Sequence, residues 1–430
     1  MNKLRSRIMG FLTAALLASS VTVQAAAVNN GTQAAVATDQ VEGWPKAPAI
    51  NSETAVLLDA RTGGVVYDKG KDEIRYPASI TKIMTLLVAL ENSSLKDQVT
   101  FTETGVRDVK ADSSNIGMQV GEVLSMKDCL NAAIIQSANE VCAQVAEYVG
   151  GSEERFVEMM NQRAVEIGCR NTHFANASGL PDENHYTTAH DMAKIMREGL
   201  KNKNFRKIIG KVNYSIPATN MSDKRVLHTH VPMLAGESPL FYNGCIGGKT
   251  GYTQEAMNTM VVAAERDGIT YIAVTMRTPD LGLNCSDSRD LFDYGFANFE
   301  QIQANEQGIL TVPKGVTVDE VETNDTEKDG ERLRQYFYHG QYVGVGRIGV
   351  PTPVPTTEAS LEQTGQNGED KPSVFELLRE TEEQEGEGEP KGLSDTAKLL
   401  LIIMGCMLAV LMVLLAALKI KNKKRRRRVK

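Results

Sequence analysis

Leu399 to Leu418 is an unbroken apolar run, LLLIIMGCMLAVLMVLLAAL, bracketed by Lys398 and Lys419. No other feature restricts the chain as much. A surface helix of a soluble domain needs a polar face, and this stretch has none. About 20 such residues cross the hydrocarbon core of a bilayer. A transmembrane helix is therefore expected over 398–419. The tail KIKNKKRRRRVK follows it, and clustered positive charge marks the cytoplasmic side. Residues 420–430 are expected to lie there. A nucleic-acid patch is the other use of such a tail, but its place directly after a span argues against nucleic acid. At the opposite end, Lys3, Arg5 and Arg7 precede an apolar stretch from Ile8 to Leu17 and small residues up to Val23-Gln24-Ala25. That layout predicts a secretory signal peptide over 1–26, because the apolar part is too short to span. Together the two ends predict a single-pass protein of the cell membrane, with everything between them on the extracellular face.

The formal net charge of −7 hides an uneven distribution. The tail concentrates positive charge, so the exported part is more acidic than the total. Much of that acid lies within 351–397, a Glu-, Gln-, Gly-, Thr- and Pro-rich stretch almost without aromatics. Such a segment cannot bury enough apolar surface to offset its ordering entropy, and it is expected to act as a solvated tether. The six cysteines, Cys129, Cys142, Cys169, Cys245, Cys285 and Cys406, are scattered. They form no C-x-x-C and no zinc spacing. Neither a disulfide framework nor a metal site is expected, and no cofactor is implied. A Cys245–Cys285 pair stays open.

Residues 40–302 read as one α+β unit. TAVLLDARTGGVVYDKG is two apolar runs joined through Gly63-Gly64, a hairpin signal. Helical spacing follows over Ser79–Glu91, Met126–Val149, Ser152–Ile167 and Thr188–Leu200. Strands return at Met257–Ala264 and Ile269–Met276, split by a turn at Asp267-Gly268, and a last helix covers Ser286–Phe299. Strands, then helices, then strands predict an antiparallel sheet completed by both ends of the unit, with a helical cluster on one side. Residues 303–350 hold short β-rich runs with spaced glycines and are expected to form a small β appendage.

Three short motifs carry the chemistry. Ser79-Ile80-Thr81-Lys82 places a hydroxyl and an amine three residues apart, on one helix face. An S-x-x-K should occur about twice by chance at ordinary residue usage, and Ser93 to Lys96 also fits. Context separates them: Pro77-Ala78 before Ser79 suits a helix start, whereas the second copy lies in a polar stretch at a helix end. Ser137-Ala138-Asn139 interrupts an otherwise apolar helix, and buried polar groups need partners. A helix–helix hydrogen bond is the plainer account of it, and Ser113-Ser114-Asn115 offers a competing S-x-N. Lys249-Thr250-Gly251 is the only K-T-G, with glycines on both sides that suit close approach of a substrate backbone.

S-x-x-K, S-x-N and K-T-G in this order resemble the signature of penicillin-recognising serine enzymes. The stretches YPASITKIMT, IIQSANEVCAQVAE, VEMMNQRAVEIGCRNTHFANASGL, HYTTAHDMAKIM and GGKTGYTQEA extend the likeness over most of residues 50–300. The chain resembles the D-alanyl-D-alanine carboxypeptidases of peptidase family S11, low-molecular-mass penicillin-binding proteins. The resemblance implies a β-lactamase/transpeptidase-like domain. It also implies removal of the terminal D-Ala from peptidoglycan stem peptides through an acyl-enzyme, with β-lactams as covalent inhibitors. By the same resemblance Ser79 is the nucleophile, Lys82 its base and Ser137 a proton relay. Asn139, Lys249, Thr250 and Gly251 bind substrate, and the backbone N–H groups of Ser79 and Tyr252 form the oxyanion hole. Two departures stand out. Ser178, in NASGL, sits where the family often has His, and no role is assigned to that segment. The stretch 303–350 is shorter than the family's usual C-terminal β domain. The rival readings are an endopeptidase or transpeptidase acting on cross-links, a non-catalytic penicillin-binding sensor, and a β-lactamase. The last would need an E-x-x-L-N pattern that does not occur after Ser137.

Overall fold

Strand β1 (Thr54–Asp59) is buried at every position, which a sheet allows only when both faces are covered. That explains why TAVLLD shows no polar–apolar alternation. The computed structural model describes residues 35–109, 113–304, 307–328 and 331–348. β1 pairs with β2 (Val65–Lys69) and, on its other side, with β9 (Ile269–Thr278), both antiparallel. β8 (Met257–Arg266) and β7 (Cys245–Thr253) complete the sheet in the order β2-β1-β9-β8-β7. Between β2 and β7 in the chain lie two small antiparallel pairs, β3 (Gln98–Thr100) with β4 (Val123–Ser125) and β5 (Asn213–Ile216) with β6 (Arg225–His228). First and last parts of the unit thus meet in one antiparallel sheet.

Alternate residues of these strands enter two different cores. Val56, Leu58, Val261, Ala263, Ile272 and Val274 face the helical cluster. That cluster contains α1 (Lys82–Asn92), α2 (Met126–Ile135), α3 (Asn139–Gly150), α4 (Glu153–Ile167), α5 (Ala189–Leu200) and α6 (Lys203–Ile209). Ala55, Leu57, Met260, Val262, Tyr271 and Ala273 face the opposite core, with Cys285, Leu291 and Phe292 of α7 (Leu281–Asn298). The last helix therefore covers the second face instead of joining the cluster. It also begins five residues before the expected Ser286, where Asp280 caps it by accepting from the Leu283 N–H.

One expected helix is two. Met126–Val149 breaks between α2 and α3, with Ser137 at φ 60°. A second five-stranded antiparallel sheet runs in the order β10-β11-β14-β13-β12. Its strands are Phe299–Gln303, Gln307–Pro313, Gln341–Arg347, Glu331–Tyr338 and Glu322–Lys328 in that spatial order. The boundary drawn between 302 and 303 falls inside its first strand. Leu310, Val312, Tyr336, Tyr338 and Val343 join the core beneath α7, so this sheet packs on the main body as part of it. The five cysteines of the described residues are free thiols, Cys245 and Cys285 included. The expected signal peptide, tether, transmembrane helix and tail lie outside the described residues. Among the described residues no helix is long and apolar enough to cross a membrane.

Candidate active site

The N-terminal end of α1 abuts the edge strand β7. A 3₁₀ turn, Ala78–Thr81, leads into α1, so Ser79 stands just before the helix and Lys82 opens it. Gly251 on β7 touches this turn: a Cβ there would lie 2.8 Å from the Ser79 nitrogen and 3.0 Å from the Pro77 oxygen. Only glycine lets the two backbones meet. β7 is an edge strand, bonded to β8 with Lys249 opposite Val261 and Gly251 opposite Thr259. An edge strand leaves one row of backbone groups unpaired in the sheet, and an extended peptide can add to such a row as a strand.

Lys82 is fully buried, and its Nζ has three oxygen neighbours: Ser79 Oγ at 2.9 Å, Asn139 Oδ1 at 2.7 Å and the Ser178 carbonyl at 2.6 Å. A neutral amine has two N–H donors and one lone pair. Asn139 Oδ1 and the Ser178 carbonyl can only accept, so they take the two N–H groups. The lone pair is then left for the Ser79 hydroxyl, which is the arrangement a general base requires. Burial lowers the Lys82 pKa to about 8, against opposing pulls from Cys142 and Glu140. Lys249, also buried, is lowered to about 7, first by burial and then by the nearby Lys82 charge. Its Nζ donates to the Thr250 carbonyl at 2.8 Å. Two ammonium groups sharing one dry site favour loss of a proton from the pair.

Ser137 occupies the break between α2 and α3, 3% exposed and in the left-handed region. A non-glycine residue held there costs on the order of 1–3 kcal/mol and is concentrated at functional sites. Asn139 follows at the first position of α3. Its Oδ1 serves Lys82, and its Nδ2 donates to Ser113 Oγ at 2.9 Å. Thr250 Oγ1 donates to the His230 carbonyl at 3.3 Å, and Tyr252 stands 64% exposed at the cleft mouth. The three motifs meet directly: Lys82 bonds to Ser79 and Asn139, Gly251 touches the Ser79 turn, and the Lys82 charge acts on Lys249. The second S-x-x-K does not join them: the Ser93 hydroxyl closes the end of α1 by donating to the Ala89 carbonyl.

Sequence reasoning passed over four residues here. Ser113, from the competing S-x-N, bonds to Asn139. Ser178 presents its carbonyl to Lys82, so a backbone group does the work and the departure at this side chain is tolerated. Thr81 and His185 lie directly behind Ser79, with Thr81 Oγ1 and His185 Nε2 2.8 Å apart. The S-x-T-K spelling and the histidine of NHYTT were visible, but nothing local linked them across about a hundred residues.

The family model for D-alanyl-D-alanine carboxypeptidases (peptidase S11) matches residues 42–280, more than half of the chain. The chain belongs to the D-alanyl-D-alanine carboxypeptidase family. Among relatives, the carboxypeptidase DacF of Bacillus subtilis is 34% identical over 257 residues, 59% of this chain and 64% of the relative. The carboxypeptidase DacA of Haemophilus influenzae is 30% identical over 268 residues, 61% of this chain and 66% of the relative. The match thus spans just under two thirds of either relative's length. Penicillin-binding protein 5 of H. influenzae superposes with a TM-score of 0.60 at 25% identity, over 70% of this chain and 97% of that structure. A Streptomyces DD-transpeptidase superposes at 0.55 with 28% identity, over 59% of this chain and 99% of that one. The transpeptidase-like α+β fold with its antiparallel sheet is common to this family member and these structures.

Proposed function

We propose that this family member is a serine D-Ala-D-Ala carboxypeptidase acting on peptidoglycan stem peptides through an acyl-enzyme on Ser79. The observation that carries the reading is the Lys82 amine, held 2.9 Å from Ser79 Oγ with its other directions occupied by acceptors. Ser79 Oγ attacks the carbonyl carbon of the penultimate D-Ala while its proton passes to Lys82. The backbone N–H groups of Ser79 and Tyr252 stabilise the oxyanion. Collapse breaks the C–N bond, and the leaving D-Ala nitrogen takes a proton through Ser137. Water then attacks the ester and restores Ser79. Lys249 and Thr250 hold the terminal carboxylate, Gly251 lets β7 close on the Ser79 turn beside the substrate, and Asn139 orients both substrate and Lys82. A β-lactam presents a strained carbonyl in the same place and acylates Ser79. The apolar run at 399–418 and its basic flank support a single-pass anchor in the cell membrane, with the catalytic domain on the extracellular face and 351–397 as tether.

One observation favours a second acceptor. A Streptomyces relative is named a carboxypeptidase, whereas the similar Streptomyces structure is titled a DD-transpeptidase. An amine in place of water would make the same acyl-enzyme a transpeptidase. The test is mass spectrometry of the purified protein after benzylpenicillin, beside D-Ala release from a pentapeptide ending in D-Ala-D-Ala. A penicilloyl adduct on Ser79 with D-Ala release is the expected result. An adduct without release, even with an added amine acceptor, would point to a sensor. Rapid penicillin turnover would point to a β-lactamase, and neither adduct nor turnover would overturn Ser79 as nucleophile.

A further inference from the structure

The peptide bond entering the nucleophile is held from behind. Ala78 has φ 51°, the left-handed region, which an alanine adopts only under constraint. Its carbonyl accepts from Thr81 Oγ1 at 2.8 Å. Thr81 Oγ1 also lies 2.8 Å from His185 Nε2, and the Ala175 N–H donates to His185 Nδ1 at 3.1 Å. These contacts fix every hydrogen. Nδ1 accepts, so the ring proton sits on Nε2. Nε2–H donates to Thr81 Oγ1, whose own proton goes to the Ala78 carbonyl. Thr81 and His185 are 0% and 2% exposed, so water does not compete. The ring edge also packs against Phe174, 5.6 Å between centroids. Gly179 closes the remaining side: at φ +87° it lies so near that a Cβ would fall 1.9 Å from the Ala78 oxygen.

A peptide unit is planar, with its C=O and the next N–H pointing opposite ways. Fixing the Ala78 carbonyl therefore fixes the direction of the Ser79 N–H. That N–H is one of the two oxyanion donors in the reading above, and the strain at Ala78 favours turning this plane away. We propose that Thr81 and His185 are positioning residues, a buried clamp that holds the strained Ala78–Ser79 peptide so that the Ser79 N–H stays aimed into the oxyanion hole. The Pro77 carbonyl, one peptide earlier, is similarly held by Thr259 Oγ1 at 2.8 Å. Neither Thr81 nor His185 needs to touch substrate for this role, because both act through the Ala78 carbonyl.

This inference rests on the acyl-enzyme reading, and the test separates the two. The wild-type protein is first shown to be acylated by benzylpenicillin at Ser79; failure there defeats that reading and the clamp with it. Thr81→Val keeps the shape and removes the hydroxyl, whereas Thr81→Ser keeps the hydroxyl. Two quantities are read: the second-order acylation rate constant, and the ester carbonyl band of the penicilloyl enzyme in difference infrared spectra. An intact oxyanion hole polarises that carbonyl and lowers its frequency. Thr81→Val is expected to acylate about 10²-fold more slowly, in line with loss of one oxyanion donor, with the band moved up and broadened. Thr81→Ser is expected to restore both. His185→Phe removes the anchor and should shift both quantities the same way, by less; it carries the test if Thr81→Val does not fold. A folded Thr81→Val with wild-type rate and band would overturn the clamp. So would slower acylation with an unmoved band, because the hydroxyl would then act elsewhere.

Discussion

At the scale of single residues, the site is governed by where two lysines leave their protons. In the proposed mechanism Lys82 must be neutral to accept from Ser79, whereas Lys249 must be charged to hold a carboxylate. Burial lowers both, to about 8 and about 7, and their repulsion couples the two losses, so the titration belongs to the pair. The productive state has one proton missing from the pair, the one on Lys82. Because Lys249 has the lower value of the two, this state is the minor form of the singly deprotonated pair, in a ratio that does not change with pH. Acylation by benzylpenicillin is therefore expected to rise with pH as the first proton leaves and to fall as the second follows, giving a bell with its maximum near pH 7–8. The measurement is the acylation rate constant from pH 5 to 10, and a flat profile would contradict the assignment. Lys82→Arg keeps the charge but cannot give up its proton. It should lower acylation by about 10²–10⁴-fold, the usual span of general-base catalysis, over that whole pH range. His185 gives a separate signature in stability. Burial pulls its pKa down to about 3, below the ordinary histidine value. The unfolded chain therefore binds the extra proton first. The stability of the neutral, buried ring is complete above about pH 6.5 and is lost progressively as pH falls toward 3. Thermal melts of His185→Phe should show a shallower loss over that window than the wild type, and parallel curves would refute the placement.

At the scale of elements, the site depends on interruptions in regular structure, which is also where the sequence was hardest to read. The strands and helices of the main unit follow from periodicity and caps. Thr188 opens α5 by accepting from Asp191, and Gly151 ends α3 at φ 78°, as their residue types suggest. The motif residues were legible as types at fixed spacing. Two other features were not. The break at Ser137 hides inside an apolar stretch whose composition favours one continuous helix, and only tertiary packing holds that serine in the left-handed region. The 176–180 segment reads as a loop, yet it bonds to α1 at successive positions. Thr85 Oγ1 donates to the Ala177 carbonyl, Lys82 donates to the Ser178 carbonyl, and Asn176 Oδ1 accepts the N–H groups of Ser178, Gly179 and Leu180. The two bonds to α1 span more than 90 residues and end on backbone carbonyls, which side-chain patterns do not report. Two glycines test the point. Gly179→Ala combines a positive φ with a clash against the Ala78 carbonyl. It should cost about 3 kcal/mol or more and abolish acylation in whatever remains folded. Gly151→Ala has a positive φ but nothing within 4 Å, and it should cost about 1–2 kcal/mol with acylation unchanged. Urea unfolding and penicillin labelling of both variants check this, and equal effects would dismiss the 176–180 segment as an active-site wall.

At the scale of the whole described body, both sheets share one core, and Trp44 ties them together. Its Nε1–H donates to the Val66 carbonyl of β2 at 3.0 Å, while its ring lies 5.1 Å from Phe299 and 6.3 Å from Tyr338 of the second sheet. Polar contacts cross the same seam: Thr62 Oγ1 meets Thr311 Oγ1 at 2.7 Å, and Gln341 donates to the Val65 carbonyl at 3.0 Å. A lone tryptophan near the start of the chain gives no sign of this role, because its ring partners Phe299 and Tyr338 lie more than 200 residues away. The Ser79 turn lies against the opposite edge of the first sheet, at β7, while the seam is formed at β2. Stability and activity should therefore separate here. Trp44→Ala opens a cavity between the sheets and should cost about 3–5 kcal/mol. It should lower the midpoint of one cooperative transition instead of splitting it into two, because the core under α7 runs through both sheets. Below that transition, the acylation rate constant should stay within about twofold of wild type, as expected for sites that share no partners. Calorimetry with penicillin labelling at low temperature decides it. Two separate transitions would show that the second sheet folds as an independent appendage, and a large loss of acylation in the folded variant would show that the seam reaches the cleft.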